Sequence, residues 1–315
     1  MDIYSTFEAV AERRKNHTAV IYLSTRFSYQ QVKEMAESFA AGLIDLGVGS
    51  GQKAIIYIPN SIQWVVAWLG IIKAGAVCVP ITPIYTPHDL KNIPTDSGAE
   101  TIIGADTNFG YVQNALSQTP VKTVVITKMT DLLPWWKRSF GYLFDVVPKG
   151  KVTYDNHTFS FRTLLLQGRR KIHRLPQNHL HKEPLAEILY TGGTTKVPKG
   201  VPITHDLFLN SANEQIRISE SLFPAEENII MGNAPLFHIL GQTCSLATLL
   251  VGGTLMVQPR INLDATFDSI RRFKAKTMIG VPALYRMILE HARLDQYDLS
   301  SVQYWFSAGD VLPVE

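Results

Sequence analysis

Cysteine is almost absent. Two occur in 315 residues, Cys78 and Cys244, each inside an apolar run and neither with a Cys or His at metal-ligand spacing beside it. That excludes a disulfide-built scaffold and a zinc site of the finger type, and both read as buried free thiols of a reducing compartment. Long apolar runs are missing as well: no unbroken apolar stretch reaches the roughly 18 residues needed to cross a bilayer. The opening MDIYSTFEAVAERRK has no apolar core of the signal-peptide kind, so the expected address is the cytoplasm. Without a secretory signal, the glycosylation patterns at Asn16-His17-Thr18 and Asn156-His157-Thr158 carry no meaning. There is little charge of one sign. A net charge of +3 and the lack of any long Lys/Arg run exclude a nucleic-acid partner, and the cluster GRRKIHR from Gly168 to Arg174 reads as a solvated loop or helix end. Repeats and low-complexity segments are also missing. What remains, 46% hydrophobic and 18% charged, is the composition of a globular protein.

The apolar pattern alternates between strand and helix. Ala19 to Leu23 reads as a strand, and Ser28 with Gln31 forms a capping box for a helix whose apolar face carries Val32, Met35, Phe39, Leu43 and Leu46 before Gly47 ends it. A strand over Ala54 to Ile58 follows. Asn60 or Ser61 then caps a helix closed by Gly75, and Ala76 to Val79 reads as another buried strand. Further strands are expected at 101–103, 123–127, 187–190, 229–231, 254–257, 277–279 and 302–306, with helical patterns between most neighbours. Near-continuous apolar strands separated by helices predict an α/β fold of largely parallel sheets flanked by helices. Pro94 is expected to end or kink the helix that begins near Pro87. Between Asp131 and Gly150 the aromatic and basic segment DLLPWWKRSFGYLFDVVPKG reads first as a packed surface helix and second as a membrane-interface contact.

The chemistry concentrates in YTGGTTKVPKG, Tyr190 to Gly200. Glycines let backbone N–H groups turn toward an anion, threonine hydroxyls donate to phosphate oxygens and lysines neutralise charge, so the composition is that of a phosphate cradle. It is not a Walker P-loop, because Lys199 is followed by Gly200 and preceded by proline. Thr204 or Asp206 can cap the helix that follows.

This loop resembles the signature of the adenylate-forming superfamily, which includes acyl-CoA synthetases, peptide-synthetase adenylation domains and luciferases. Its pattern is Thr-Ser/Gly-Gly-Thr-Thr-Gly-x-Pro-Lys-Gly. Six further stretches resemble the family in the same order: FSYQQVKEMAESFAAGLIDLGVGSGQKAIIYIPNS, AWLGIIKAGAVCVPITPIYTPHDL, NAPLFHILG, VGGTLMV, VPALYRMIL and SAGDVLP. The resemblance implies a layered αβαβα N-terminal domain, here with residues 1–185 as a first subdomain and 186–315 as a second that carries the phosphate loop. It also implies a two-step reaction using ATP, Mg²⁺ and coenzyme A, in which a carboxylate attacks the α-phosphorus and the CoA thiol then displaces AMP. On matching positions, Thr191, Gly192, Gly193, Thr194, Thr195 and Lys199 would hold the polyphosphate. His238 would border the carboxylate and acyl pocket as the catalytic candidate. Ser307, Ala308, Gly309 and Asp310 would lie between that pocket and the adenine. No residue is assigned to metal. Lys196 departs from the family by standing at the final loop glycine.

The family's Tyr-Gly-x-Thr-Glu motif, ribose-binding aspartate and lysine-bearing C-terminal domain have no counterpart here. The resemblance therefore implies an incomplete N-terminal domain whose 315 residues alone catalyse neither half-reaction. The segment 131–150 resembles that of prokaryotic long-chain fatty acyl-CoA ligases, so a fatty acid is the first expected substrate and a benzoate-type acid the second. A peptide-synthetase domain fits less well, since no acidic partner for a substrate amine stands out. A non-catalytic nucleotide-binding or interaction module is the reading from another class. Membrane association and a homodimer are left open.

Overall fold

The computed structural model describes residues 2–143, 148–175, 184–191 and 198–311. In chain order the first elements are α1 (Ile3–Arg13), β1 (Thr18–Tyr22), β2 (Thr25–Ser28), α2 (Tyr29–Asp45), β3 (Lys53–Tyr57), α3 (Ile62–Lys73), β4 (Val77–Pro80), α4 (Asp89–Ser97), β5 (Thr101–Ala105) and α5 (Phe109–Leu116). Then come β6 (Thr123–Thr127), α6 (Trp135–Leu143), β7 (Thr158–Ser160), α7 (Phe161–Arg169), β8 (Leu185–Thr191) and β9 (Lys199–Thr204). The remainder is α8 (His205–Glu220), β10 (Ile229–Gly232), α9 (Ile239–Cys244), β11 (Thr254–Val257), α10 (Leu263–Phe273), β12 (Thr277–Gly280), α11 (Pro282–Leu289) and β13 (Tyr304–Ser307).

The strands form a seven-stranded sheet in the order β7-β6-β5-β3-β4-β8-β9 and a six-stranded sheet in the order β13-β12-β10-β11-β1-β2. All pairings are parallel except β8–β9 and β1–β2. The β1–β2 hairpin turns at Leu23 and Ser24, both with positive φ (45° and 55°), the backbone that matches a two-residue turn to strand twist.

Contacts gather the chain into two compact units, residues 1–5 with 33–207 and residues 6–32 with 208–315. The position 185/186 lies inside β8, and these units divide between Leu207 and Phe208. That strand belongs with the first sheet, because it lies parallel to β4 with Glu187 opposite Cys78 and carries β9 as its antiparallel edge. In the first unit, Ile55, Tyr57, Val79, Ile102 and Val124 pack against Leu90 and Ile93 of α4 and Phe109 and Val112 of α5. Every residue of α3 is buried, Gln63 and Lys73 included, as suits a helix that is apolar on nearly every side. In the second unit, Met231, Met256 and Met278 meet Phe267, Ile270 and Phe273 of α10 and Leu284 and Ile288 of α11.

The local signals hold where a side chain reaches a helix end. Ser28 N–H donates to Gln31 Oε1 at 2.9 Å and Gln31 N–H returns to Ser28 Oγ at 3.2 Å. Ser61 Oγ accepts from Trp64 N–H at 3.1 Å, and Thr204 Oγ1 from Leu207 N–H at 3.1 Å. Of the two effects expected of Pro94, the end of the helix is corrected: α4 runs through it to Ser97 and stops at Gly98 in the left-handed region (φ 70°). Proline's own φ suits a helix, and burial of Leu90, Ile93 and Pro94 offsets the one missing hydrogen bond. The basic cluster closes α7, with Lys171 paired to Asp45. In α6, Trp135 is 76% exposed and Trp136 47%, so neither is the packed anchor that a surface helix would use; residues 144–147 of that segment lie outside the described residues.

Cys78 is buried and Cys244 partly so, and both are free. Burial pushes the Cys244 thiol up to about 11 and holds Cys78 well above its ordinary value, with the Glu187 carboxylate adding to the latter.

Candidate functional site

The expected site residues fall on two structures, one in each unit. The first is the β8–β9 hairpin, in which Thr191 stands opposite Lys199 and Tyr190 opposite Gly200. Thr191 Oγ1 donates to the Lys199 carbonyl at 3.5 Å, and both residues are exposed. Gly192, Gly193, Thr194, Thr195 and Lys196 lie outside the described residues. The strand that feeds the loop is anchored from α4: Tyr190 OH donates to Asp96 Oδ2 at 2.5 Å. Burial, and then this carboxylate, push the Tyr190 hydroxyl pKa up, so it stays protonated and donating. Gly200 answers the same ring. A Cβ there would stand 2.9 Å from Ile188 Cγ2 and 3.2 Å from the Tyr190 ring, so only glycine lets the ring lie across the strand.

The second structure is the carboxyl edge of the six-stranded sheet. Here β10 is followed by β11 on one side, and the chain then returns to place β12 on the other, so the strand order reverses at β10. In open parallel sheets a ligand crevice opens outside the carboxyl ends at such a reversal. The loops that leave β10, β12 and β13 meet this edge. Asn233 follows β10; it is 8% exposed, and both polar atoms of its side chain are buried with no hydrogen-bond partner among the described residues. Ser307 Oγ at the end of β13 and Ser245 Oγ, which a Cβ at Gly232 would approach to 3.1 Å, are buried and unpartnered as well. Orphaned buried polar atoms are costly and rare, and they gather where a ligand completes the hydrogen bonds.

Around them the backbone is well held. Tyr285 OH of α11 donates to the Phe306 carbonyl at 2.6 Å and lies 3.1 Å from the Met278 carbonyl, which ties β12 to β13. Ala308 N–H donates to the Gly280 carbonyl at 3.2 Å. Gly309 turns with φ 92°, where any other residue would be strained, and Asp310 Oδ1 accepts from Val311 N–H at 2.8 Å. His238 is exposed at the start of α9, and its Nδ1 accepts from Leu240 N–H at 3.3 Å. A neutral His238 therefore carries its proton on Nε2, leaving Nδ1 as the acceptor.

A separate slot lies on the strand face, bounded by Gln215 and Ile216 of α8, Thr243 and Cys244 of α9, Asn228, Ile279 and Phe306. Its cavity volume is about 30 Å³. That is room for one or two waters. Cys244 Sγ lies 3.6 Å from Gln215 Oε1 across it.

The structure thus brings Ser307, Ala308, Gly309 and Asp310 to one edge with the loop that carries His238, and places Thr191 and Lys199 at the two ends of a hairpin loop. Sequence reasoning passed over Asn233, Tyr190 and Gln215. A polar residue directly after an apolar strand, as in IIMGN, was the available signal for Asn233; nothing comparable marked Gln215. Among the described residues no group of three His, Cys, Asp or Glu side chains could hold a metal, and no helix is long and apolar enough to cross a membrane. The donor set at the carboxyl edge, an amide and hydroxyls with unmet hydrogen bonds, fits the polar atoms of a nucleotide or acyl phosphate better than a bare cation.

The chain is 30% identical over 319 aligned residues to the long-chain-fatty-acid–CoA ligase of Salmonella typhimurium, covering 98% of this chain and 55% of that protein. It is 28% identical to the enzyme of that name from Bacillus subtilis, covering 54% of it. The chain therefore spans about half the length of the relatives it matches. Among solved structures, an anthranilate–CoA ligase bound to anthranoyl-AMP superposes with a TM-score of 0.78 at 21% identity, over 99% of this chain and 56% of that one. A benzoate–CoA ligase from Burkholderia xenovorans gives 0.74 at 23%, over 99% and 57%. These likenesses establish a shared fold. The profile of the family described as AMP-binding enzyme matches residues 7–315, and the chain belongs to that family.

Proposed function

We propose that these residues form the ATP- and acid-binding part of an AMP-forming acyl-CoA ligase. ATP supplies the phosphorus that the acid's carboxylate attacks with loss of pyrophosphate, and the thiol of coenzyme A then takes the acyl group as AMP leaves. In this reading Thr191 and Lys199, with the loop between them, bind the polyphosphate and offset its charge. Asn233 and Ser307 hydrogen-bond the polar atoms of the adenylate, and His238 faces the carboxylate. The slot beside Gln215 and Cys244 takes the acyl group. The observation that carries the proposal is the set of buried polar atoms at Asn233 and Ser307, unpartnered where the strand order reverses.

For the substrate, we propose a long-chain fatty acid, supported by the relatives that bear that name. The alternative is a compact aromatic acid, the kind named for the solved neighbours; the slot's cavity volume of about 30 Å³ admits neither an alkyl chain nor a ring until its side chains move. Exposed Trp135 and Trp136 on α6 support peripheral membrane contact, which suits a fatty-acid substrate. With the longest natural chain that contains these residues, an acid panel read by AMP release and hydroxamate trapping tests the proposal. AMP formed with a fatty acid is the expected result, AMP with benzoates alone selects the aromatic reading, and ADP in place of AMP refutes adenylation.

A further inference from the structure

The same sheet has a second recess at its amino edge, away from Asn233 and Ser307. It is lined by Thr18, Ile229, Thr254 and Lys276, which stand at or just before the starts of β1, β10, β11 and β12, together with Arg14, His17, Arg26 and Gly252. Its cavity volume is about 370 Å³.

Its cations come from separate elements and each is held. Arg14, just past α1, has Nη2 3.1 Å from His17 Nδ1, and its stem lies where a Cβ at Gly252 would stand, 2.6 Å from Arg14 Cδ. Gly252 has φ 103°, so that turn both requires glycine and leaves room for the arginine. Arg26 of β2 lies with its guanidinium carbon 5.2 Å from the centroid of Phe273. Lys276 Nζ is 2.9 Å from Glu227. The acids facing the recess are Glu226 and Glu227. Glu227 is taken by Lys276, and among the described residues neither Arg14 nor Arg26 forms an ion pair. Two guanidiniums thus line the recess with one unpaired carboxylate, Glu226, and are pre-positioned by packing rather than by an ion pair.

We propose that this recess binds a phosphate group, and that it is a site separate from the nucleotide edge. A planar base is not the ligand. The one aromatic ring in the lining, Phe273, is 7% exposed and already engaged by Arg26 and by Arg272, each 5.2 Å from its centroid. A compact anion that accepts from two guanidiniums at once suits the geometry, whether free phosphate or the phosphomonoester head of a lipid.

The test is calorimetric titration of the 315-residue chain with inorganic phosphate at low ionic strength, beside co-sedimentation with phosphatidic acid vesicles. Four variants accompany it, each first checked for an unchanged unfolding midpoint. Arg26→Gln weakens binding about tenfold. Glu226→Gln, which removes the one unpaired carboxylate, tightens it severalfold. Lys199→Gln on the hairpin removes only phosphate held by that loop and leaves the Arg26-dependent binding in place, and Arg162→Gln on α7 leaves it unchanged. Saturable phosphate binding with this pattern supports a soluble ligand; retention on vesicles alone with the same pattern supports a lipid head. Binding that survives Arg26→Gln, that is lost with Lys199→Gln, or that falls equally with Arg162→Gln overturns the proposal.

Discussion

Replacing Asn233 with leucine separates stability from ligand binding. The side chain is 8% exposed, and its Nδ2 and Oδ1 both lie buried without partners. Each unmet group costs about 1–3 kcal/mol in desolvation. Leucine has nearly the same shape, removes both polar atoms and adds apolar burial. Water reaching part of the crevice lowers the gain, so the expected stabilisation is about 1–2 kcal/mol. In a unit of this size that raises the thermal midpoint by about 3–6 °C. The same substitution removes the proposed adenylate contacts, so affinity for a non-hydrolysable acyl-adenylate analogue falls by about tenfold or more. Urea and thermal unfolding read the first effect, and calorimetric titration of the analogue reads the second. A variant that is less stable yet binds the analogue as tightly refutes the reasoning, because Asn233 would then be satisfied within the fold and have no part in the site.

Three further outcomes follow from particular residues. Tyr190→Phe removes the hydrogen bond to Asp96 and destabilises the first unit by about 1 kcal/mol, the value for a partly exposed bond to a carboxylate. Because the folded-state pKa of Tyr190 is raised, the contribution is complete below about pH 10, the unfolded tyrosine value, and declines as pH rises above it; a difference that vanishes between pH 6 and 8 contradicts this. Gly309→Ala, forced to keep φ 92°, costs about 1–2 kcal/mol by denaturant unfolding, and an unchanged midpoint would show that the turn relaxes. With its thiol near 11, Cys244 reacts with iodoacetamide at pH 7.5 about twentyfold more slowly than free cysteine, while Cys78 stays unmodified until the chain unfolds; labelling followed by mass spectrometry reads both.

Much of the fold was legible because its signals are local. Ser28 with Gln31, Ser61 and Thr204 each satisfy backbone groups within three residues of themselves, so their spacing alone marks the helix starts. The parallel strands were legible because burial on both faces leaves no polar alternation. Pro94 does not end α4 because its effect depends on whether neighbouring residues are buried, which no local pattern states. The expected boundary at 185/186 cuts through β8 for a related reason. A composition shift does not tell which sheet a strand joins, and β8 is recruited by β4, more than a hundred residues earlier.

The candidate site divides in the same way. From the sequence alone came the glycines, threonines and lysine of the loop, the family they resemble, and the segments holding His238 and Ser307. All of these are choices of residue type that the chemistry demands wherever the chain goes. Tertiary structure alone decided that Asn233 and Ser307 are buried without partners, that the strand order reverses beside them, and that Tyr190 is anchored to Asp96. It also decided that Arg14, Arg26 and Lys276 converge at the far edge of the same sheet. Hydrogen-bond satisfaction and convergence of charge are properties of neighbours in space, and residues 14 and 276 become neighbours only once β1 and β12 lie in one sheet.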